Sequence, residues 1–219
     1  APLRFDGDLI LLAGALALLR FATVLAALDT GSAFEGMGAS REAQFASFAE
    51  PALLLALAAL ARATQGFSLT TMSAAVTPQL WLVHGPALAL LAGTLSIVHL
   101  AENCRIPVDD PATHLELTMV HEVMVLDHGG PDLGLILWAA AVKFWVLAAL
   151  VVDLIVPVRS GAFALDAGAA LLGMAALAVA TGLVESVMAR LRLTRIPQLL
   201  VAASSLAALG AILTLRGGA

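Results

Sequence analysis

The sequence predicts an all-α, polytopic membrane helix bundle of about six transmembrane helices, and three observations carry that prediction. Hydrophobic residues make up 61% of the chain, its mean hydropathy is +0.98, and only 12% of it is charged. A soluble domain is charged at roughly a quarter of its positions, so this chain has too little polar surface to clothe a globule in water. Six apolar runs each come near the roughly 20 residues that a helix needs to cross a bilayer. The ionisable groups are also unevenly placed, because residues 102–132 hold seven of the 16 acidic residues and three of the five histidines.

The formal charge of −5 argues against a nucleic-acid partner. The lone cysteine, Cys104, permits no internal disulfide and supplies too few thiolates for an iron–sulfur site. No repeat period is present, and residues 1–219 read as a single membrane domain.

The first span covers 9–28 and is interrupted by Arg20. The glycines of 29–38 predict tight backbone turns, with Ser40 as the N-cap of the next helix and Arg41 and Glu42 in its first turn. That second span, 44–63, contains Glu50-Pro51. Proline removes a helix hydrogen bond and predicts a kink that frees the Ser47 carbonyl. The adjacent carboxyl is expected to face protein or water rather than hydrocarbon.

A polar connection, 65–79, leads to the third span, 80–100, which carries His84 and His99 near its ends. His99 precedes Glu102 by three residues, so the two share a helix face. The fourth span, 133–156, contains Lys143 and Asp153, and the fifth, 163–188, contains Asp166 and Glu185. Arg190, Arg192 and Arg195 lie before the last span, 197–215. Abundant alanine and glycine suit close helix approach in lipid. The arginines divide five to four between the two sides, which places the acidic loop in the cytoplasm.

Within that third inter-helix loop, Pro111 opens a helical pattern. Asp110, His114, Thr118 and His121 recur at helical spacing, with Glu122 beside the last. Leu115, Met119, Val123 and Leu126 take another face, which predicts an amphipathic helix at the membrane boundary. Asp109 and Asp110 are held between Pro107 and Pro111. Arg105 is near enough in sequence to neutralise one of them and leave the other an adjustable proton affinity. His121-Glu122 opens a zinc-protease-like pattern, but Val125 stands where the second ligand belongs, so no metal is expected. Arg20, Glu50, Glu102, Lys143, Asp153, Asp166 and Glu185 would each cost roughly 2.5–3.5 kcal/mol at a helix centre. A row of mixed sign predicts a polar, charged intramembrane path for protons or ions.

Three stretches together resemble a known group. They are the run from Leu28 through Glu35-Gly36-Met37-Gly38 to Arg41-Glu42 with Glu50-Pro51 after it, the run Arg105-Ile106-Pro107-Val108-Asp109-Asp110-Pro111-Ala112-Thr113-His114-Leu115-Glu116 continuing to His121-Glu122, and Glu185-Ser186-Val187-Met188-Ala189-Arg190. The chain resembles the formate hydrogenlyase subunit 4 group of energy-converting NiFe hydrogenases, within the wider family of respiratory complex I subunit 1. The resemblance implies a multi-pass subunit of the cell inner membrane, set between a peripheral redox arm and antiporter-like ion-pumping subunits. It matches Glu50, Glu102, Asp109, Glu116 and Asp127 to the family's carboxylate chain. Asp110, His114, His121, Glu122 and Glu185 are further path candidates, with Arg41, Arg105, Lys143 and Arg190 as charge partners.

On that resemblance the chain itself binds no cofactor. Nickel–iron and iron–sulfur centres belong to partner subunits of a hydrogenase or dehydrogenase arm, and a quinone beside the acidic loop stays open. The hydrogenase-like Asp110 and His121-Glu122 replace the complex I pattern there. The family's first spans are expected to lie outside these 219 residues. Two other readings stand beside this one. The first is a quinone-chamber subunit of an NADH:quinone oxidoreductase. The second is a stand-alone secondary transporter, which requires paired broken helices, of which Glu50-Pro51 supplies only one.

Overall fold

A computed structural model describes residues 5–110 and 119–216. Six of its helices are long and apolar enough to cross a membrane. They are α1 (Asp8–Asp29), α2 (Ala33–Thr64), α4 (Pro78–Glu102), α5 (Gly130–Ile155), α6 (Phe163–Val187) and α7 (Ile196–Arg216), with a short α3 (Leu69–Ala75) between α2 and α4. The chain is an all-α, multi-pass membrane protein.

The glycine-rich run is where the backbone departs furthest from expectation. Residues 33–43 are not a turn but the first three turns of α2, entered from the extended Ser32. At 32 residues α2 is about 48 Å long, well beyond the roughly 30 Å hydrocarbon core. Gly38 lies inside this extension because no side chain fits: a Cβ there would come within 2.4 Å of Val123 Cγ1 and 2.9 Å of the Val120 carbonyl oxygen. Ser40, Arg41 and Glu42 are therefore mid-helix.

Pro51 also behaves otherwise than predicted, since α2 runs through it as one helix. The break falls instead at His84 in α4, whose backbone is non-helical (φ −113°, ψ 18°) two residues before Pro86.

The core is built from α2, α4 and α7, which pack on one another. Ala52, Ala56 and Leu57 of α2 meet Leu88, Leu91 and Leu95 of α4 and Ala203 and Ala207 of α7, all buried. Small residues allow the close approach that drives helix association in lipid. A Cβ on Gly210 would stand 2.9 Å from Leu91 Cδ2. Thr94 Oγ1 donates to the Leu90 carbonyl at 3.0 Å, and lies 3.2 Å from that of Ala203 across the α4–α7 seam. By contrast, α1 lies on α2 and α6 on α5. Large apolar side chains such as Phe21 and Leu18 of α1 and Leu172 and Leu183 of α6 face outward.

Pro111 to Thr118, including His114 and Glu116, lie outside the described residues. Beyond them the loop forms no amphipathic α-helix but a single 3-10 turn, Glu122–Val125. Met119, Val120, Val123, Met124 and Val125 are all buried, whereas Leu126, expected on the same apolar face, is exposed. The backbone N–H groups of Val120 and His121 are taken by the Asp109 carboxylate at 2.8 and 3.3 Å.

Candidate functional site

Alternating span directions bring the ends of α1, α4 and α6 and the starts of α2, α5 and α7 to one side, and most of the charge gathers there. Arg20, just past the middle of α1, points into the bundle and is buried. Its guanidinium hydrogen-bonds Glu50 of α2, donates from Nη2 to Glu102 Oε1 at 2.5 Å, and faces Glu42 Oε1 from Nε at 3.5 Å. Three carboxylates thus surround one arginine. Glu42 and Glu102 are buried, while the Glu50 side chain keeps 43% of its exposure.

Beside this cluster lies a cavity of about 350 Å³ whose wall includes Glu102, Arg105, Asp109, His121, Glu122 and Lys143. Phe144 completes one side. The His99 ring meets it edge-on at a centroid distance of 4.7 Å, and the Arg105 guanidinium lies 5.7 Å from its centroid. A second, narrow cavity is lined by Arg20, Glu42, His121 and Lys143, so the cluster and the larger chamber share walls.

Glu50 and Glu102 are thus brought together on Arg20, and Glu185 pairs with the chamber-lining Arg105 at 3.4 Å. The expected pairing of Arg105 with an aspartate of the loop is replaced. Asp109 pairs with Arg190 Nη2 at 3.0 Å, and its two oxygens also accept the N–H groups of Asp110, Val120 and His121. Buried to 1% exposure with both oxygens so occupied, Asp109 clasps the start of the loop to its far end and to Arg190. Asp110 sits half-buried beside it.

Asp127 is exposed, and its N–H donates to Glu35 Oε1 at 2.9 Å. Arg41 spans the gap to the loop and donates to the Met119 carbonyl at 2.8 Å. Asp153 and Asp166 leave the row altogether. They sit at the opposite end of the bundle, bound to Arg159 and Ser160.

Two carboxylates join the site that sequence patterns do not place there. Glu42 completes the Arg20 cluster, and the fully buried Glu35 ties the α1–α2 turn to the segment before α5. Glu35 accepts from Thr30 Oγ1 and the Asp127 N–H and lies 3.5 Å from His128 Nδ1. Their seven-residue spacing puts both on the buried face of α2, a signal hidden when 29–38 is taken for a linker.

Cys104 donates weakly to Glu42 Oε2 at 3.9 Å. Burial first, then the Glu42 charge, pushes its thiol well above the usual range, so it is protonated and unreactive at neutral pH. Burial, followed by the charges of Lys143 and Arg105, lowers His121 to about 4. Its imidazole is neutral at pH 7, and Nε2 is buried without a hydrogen-bond partner.

The unfolded chain takes up that proton near pH 6.5, whereas the folded one resists it to about 4. Stability therefore falls as pH drops through this window, by at most about 3 kcal/mol. Thermal unfolding in detergent from pH 7 to 4.5 should show that slope, and His121→Gln should flatten it. An unchanged slope in the variant would assign the acid sensitivity elsewhere.

The fold and the site together define a polytopic helix bundle in which an arginine–carboxylate cluster adjoins a charged, loop-walled chamber. The chain belongs to the NADH dehydrogenase family, whose model matches residues 1–215. It is 35% identical over 157 residues to hydrogenase-4 component C of Escherichia coli (strain K12), covering 72% of this chain and 48% of that protein. It is 29% identical over 206 residues to formate hydrogenlyase subunit 4 of the same organism, covering 91% and 66%. The chain thus spans about half to two thirds of the length of these relatives.

Proposed function

We propose that the chain is the membrane coupling subunit of a complex I-like NiFe hydrogenase of the inner membrane. It would link redox chemistry in a peripheral arm to proton or sodium translocation by antiporter-like neighbours. The observation that carries this reading is Arg20 holding Glu42, Glu50 and Glu102 at the wall of the charged chamber. Three carboxylates exceed the one arginine they share, so the set can gain or lose a proton while Arg20 stays paired. Charge neutrality is costly to violate inside a bundle, so a proton arriving from the chamber displaces another along the chain. The nickel–iron and iron–sulfur centres belong to the partner arm in this reading, and the outward apolar faces of α1 and α6 are where membrane neighbours or lipid lie.

The test is Glu102→Gln and Glu50→Gln in the assembled complex, purified with its partners and assayed for metals and flavin. Glutamine keeps size and hydrogen bonding but carries no exchangeable proton. Ion translocation per turnover in vesicles should fall at least about tenfold with both variants, a loss of about 1.4 kcal/mol or more in transfer, while assembly and metal content hold. Normal pumping by both would reduce the cluster to scaffolding.

A quinone-chamber role is the second reading, favoured by the unpartnered Nε2 of neutral His121 on the chamber wall. His121 and Lys143 would hold a quinone's carbonyl oxygens and Phe144 would lie against its ring. Bound there, it would supply a two-electron, two-proton acceptor. Quinone copurifying from native membranes, and displaced in His121→Phe, distinguishes this reading.

A further inference from the structure

At the end of the bundle away from the charge cluster lies a second cavity, of about 260 Å³, between α6 and the faces of α2, α3 and α5. Its walls are apolar, with Leu57, Leu60, Leu95, Leu150 and Met174. From α6 it receives the small side chains Ala169 and Ala170, which leave the space open. Its rim is polar and fixed. Asp153 Oδ1 accepts from Ser73 Oγ at 2.8 Å and from Arg159 Nη2 at 2.5 Å, and Arg159 is held in turn by the Ser73 carbonyl. Asp166 accepts the N–H and hydroxyl of Ser160 at 2.7 and 2.8 Å, which pins the loop between α5 and α6.

This rim lies where the spans end, since α5 stops at Ile155 and α6 starts at Phe163, which is the depth of lipid headgroups. The Asp153 and Arg159 side chains keep 37% and 30% of their exposure, so both remain reachable. An apolar slot of about 260 Å³, room for part of an acyl chain, beneath a mixed-charge rim at that depth selects an amphiphile from the bilayer. The rim has two carboxylates to one guanidinium and lacks the basic cluster that anionic lipids need. None of its lining residues is aromatic, so it offers no cage for a quaternary ammonium.

We propose that this cavity holds the upper part of one acyl chain of a zwitterionic aminophospholipid. Its primary ammonium lies at Asp153 and Asp166, and its phosphate at Arg159. The lipid fills the gap between α6 and the core beside the α5–α6 contact.

The experiment loads the full chain into nanodiscs of phosphatidylethanolamine, phosphatidylcholine and phosphatidylglycerol in equal parts. It is then re-extracted in mild detergent, and the retained lipid is read by native mass spectrometry. The wild type should keep one phosphatidylethanolamine, enriched at least about tenfold over the other two. Ala170→Phe, which fills the slot, should retain none. Asp153→Asn keeps an acceptor for Ser73 but removes the charge, and should lose the preference over phosphatidylcholine. If Ala170→Phe does not fold, the loss of preference in Asp153→Asn decides the matter. Equal retention of the three lipids by the wild type, retention of phosphatidylglycerol in its place, or unchanged selectivity in Asp153→Asn would each overturn the proposal.

Discussion

Arg20→Ala should destabilise the bundle by about 3–5 kcal/mol, the range seen when one partner of a buried ion pair is removed. Its guanidinium lies within ion-pair distance of Glu42, Glu50 and Glu102 at once. Removing it leaves Glu42 and Glu102 buried without that partner. Glu50 is only half-buried, so most of the cost falls on the other two. Arg20→Lys should recover only part of the loss, because an ammonium on a flexible stem cannot fork toward carboxylates from two helices.

The decisive comparison is the pair Arg20→Ala and Arg20→Ala/Glu102→Gln. If uncompensated charge is the cause, neutralising Glu102 in the Arg20→Ala background restores stability, although Glu102→Gln alone costs some. That sign of coupling is what a double-mutant cycle reads. Thermal unfolding followed by helicity in detergent supplies the numbers. An Arg20→Ala protein as stable as the wild type would show that the cluster is solvated and not a closed network.

The bundle is legible in the sequence because hydropathy and length alone identify a bilayer-crossing helix, and all six spans follow from them. The loop from Glu102 to Asp127 is equally legible as the place where charge meets the membrane. Its internal pairing is not. Arg105 and Asp109 are four residues apart, yet Asp109 takes Arg190 and Arg105 takes Glu185, each about 80 residues distant. Sequence proximity has no bearing on which part of the chain the bundle folds back onto the loop.

Glycine misleads for a related reason. Gly36 and Gly38 look like turn formers, but both are helical, and Gly38 lacks a side chain because the loop at Val120 to Met124 presses against it. That pressure comes from residues more than 80 positions away. Once 33–43 is counted as helix, Glu35, Gly38, Ala39 and Glu42 fall on one face, and the two further carboxylates follow. Asp153 and Asp166 look membrane-deep because they lie within apolar runs, but each is within a turn of a helix end, where Ser73 and Arg159 satisfy the first and Ser160 the second.

Asp109→Asn carries the second large effect, and it separates a clasp from a proton relay. The carboxylate accepts from three backbone N–H groups and one guanidinium at 1% exposure. An asparagine must turn its NH₂ toward some of those donors, which leaves N–H facing N–H in a buried site. It also strips Arg190 of this counter-charge. The cost should approach the same 3–5 kcal/mol, and it should be local. The amides of Val120 and His121, slow to exchange in the wild type, should exchange quickly in the variant, while amides in the α4–α7 seam around Thr94 keep their protection. Asp109→Glu should not rescue it, because an added methylene has no room at a fully buried position. A relay residue behaves in the opposite way: asparagine would leave amide protection intact and alter only the pH dependence of coupled translocation. Protected Val120 and His121 amides in Asp109→Asn, together with a flattened pH profile, would return Asp109 to the proton path.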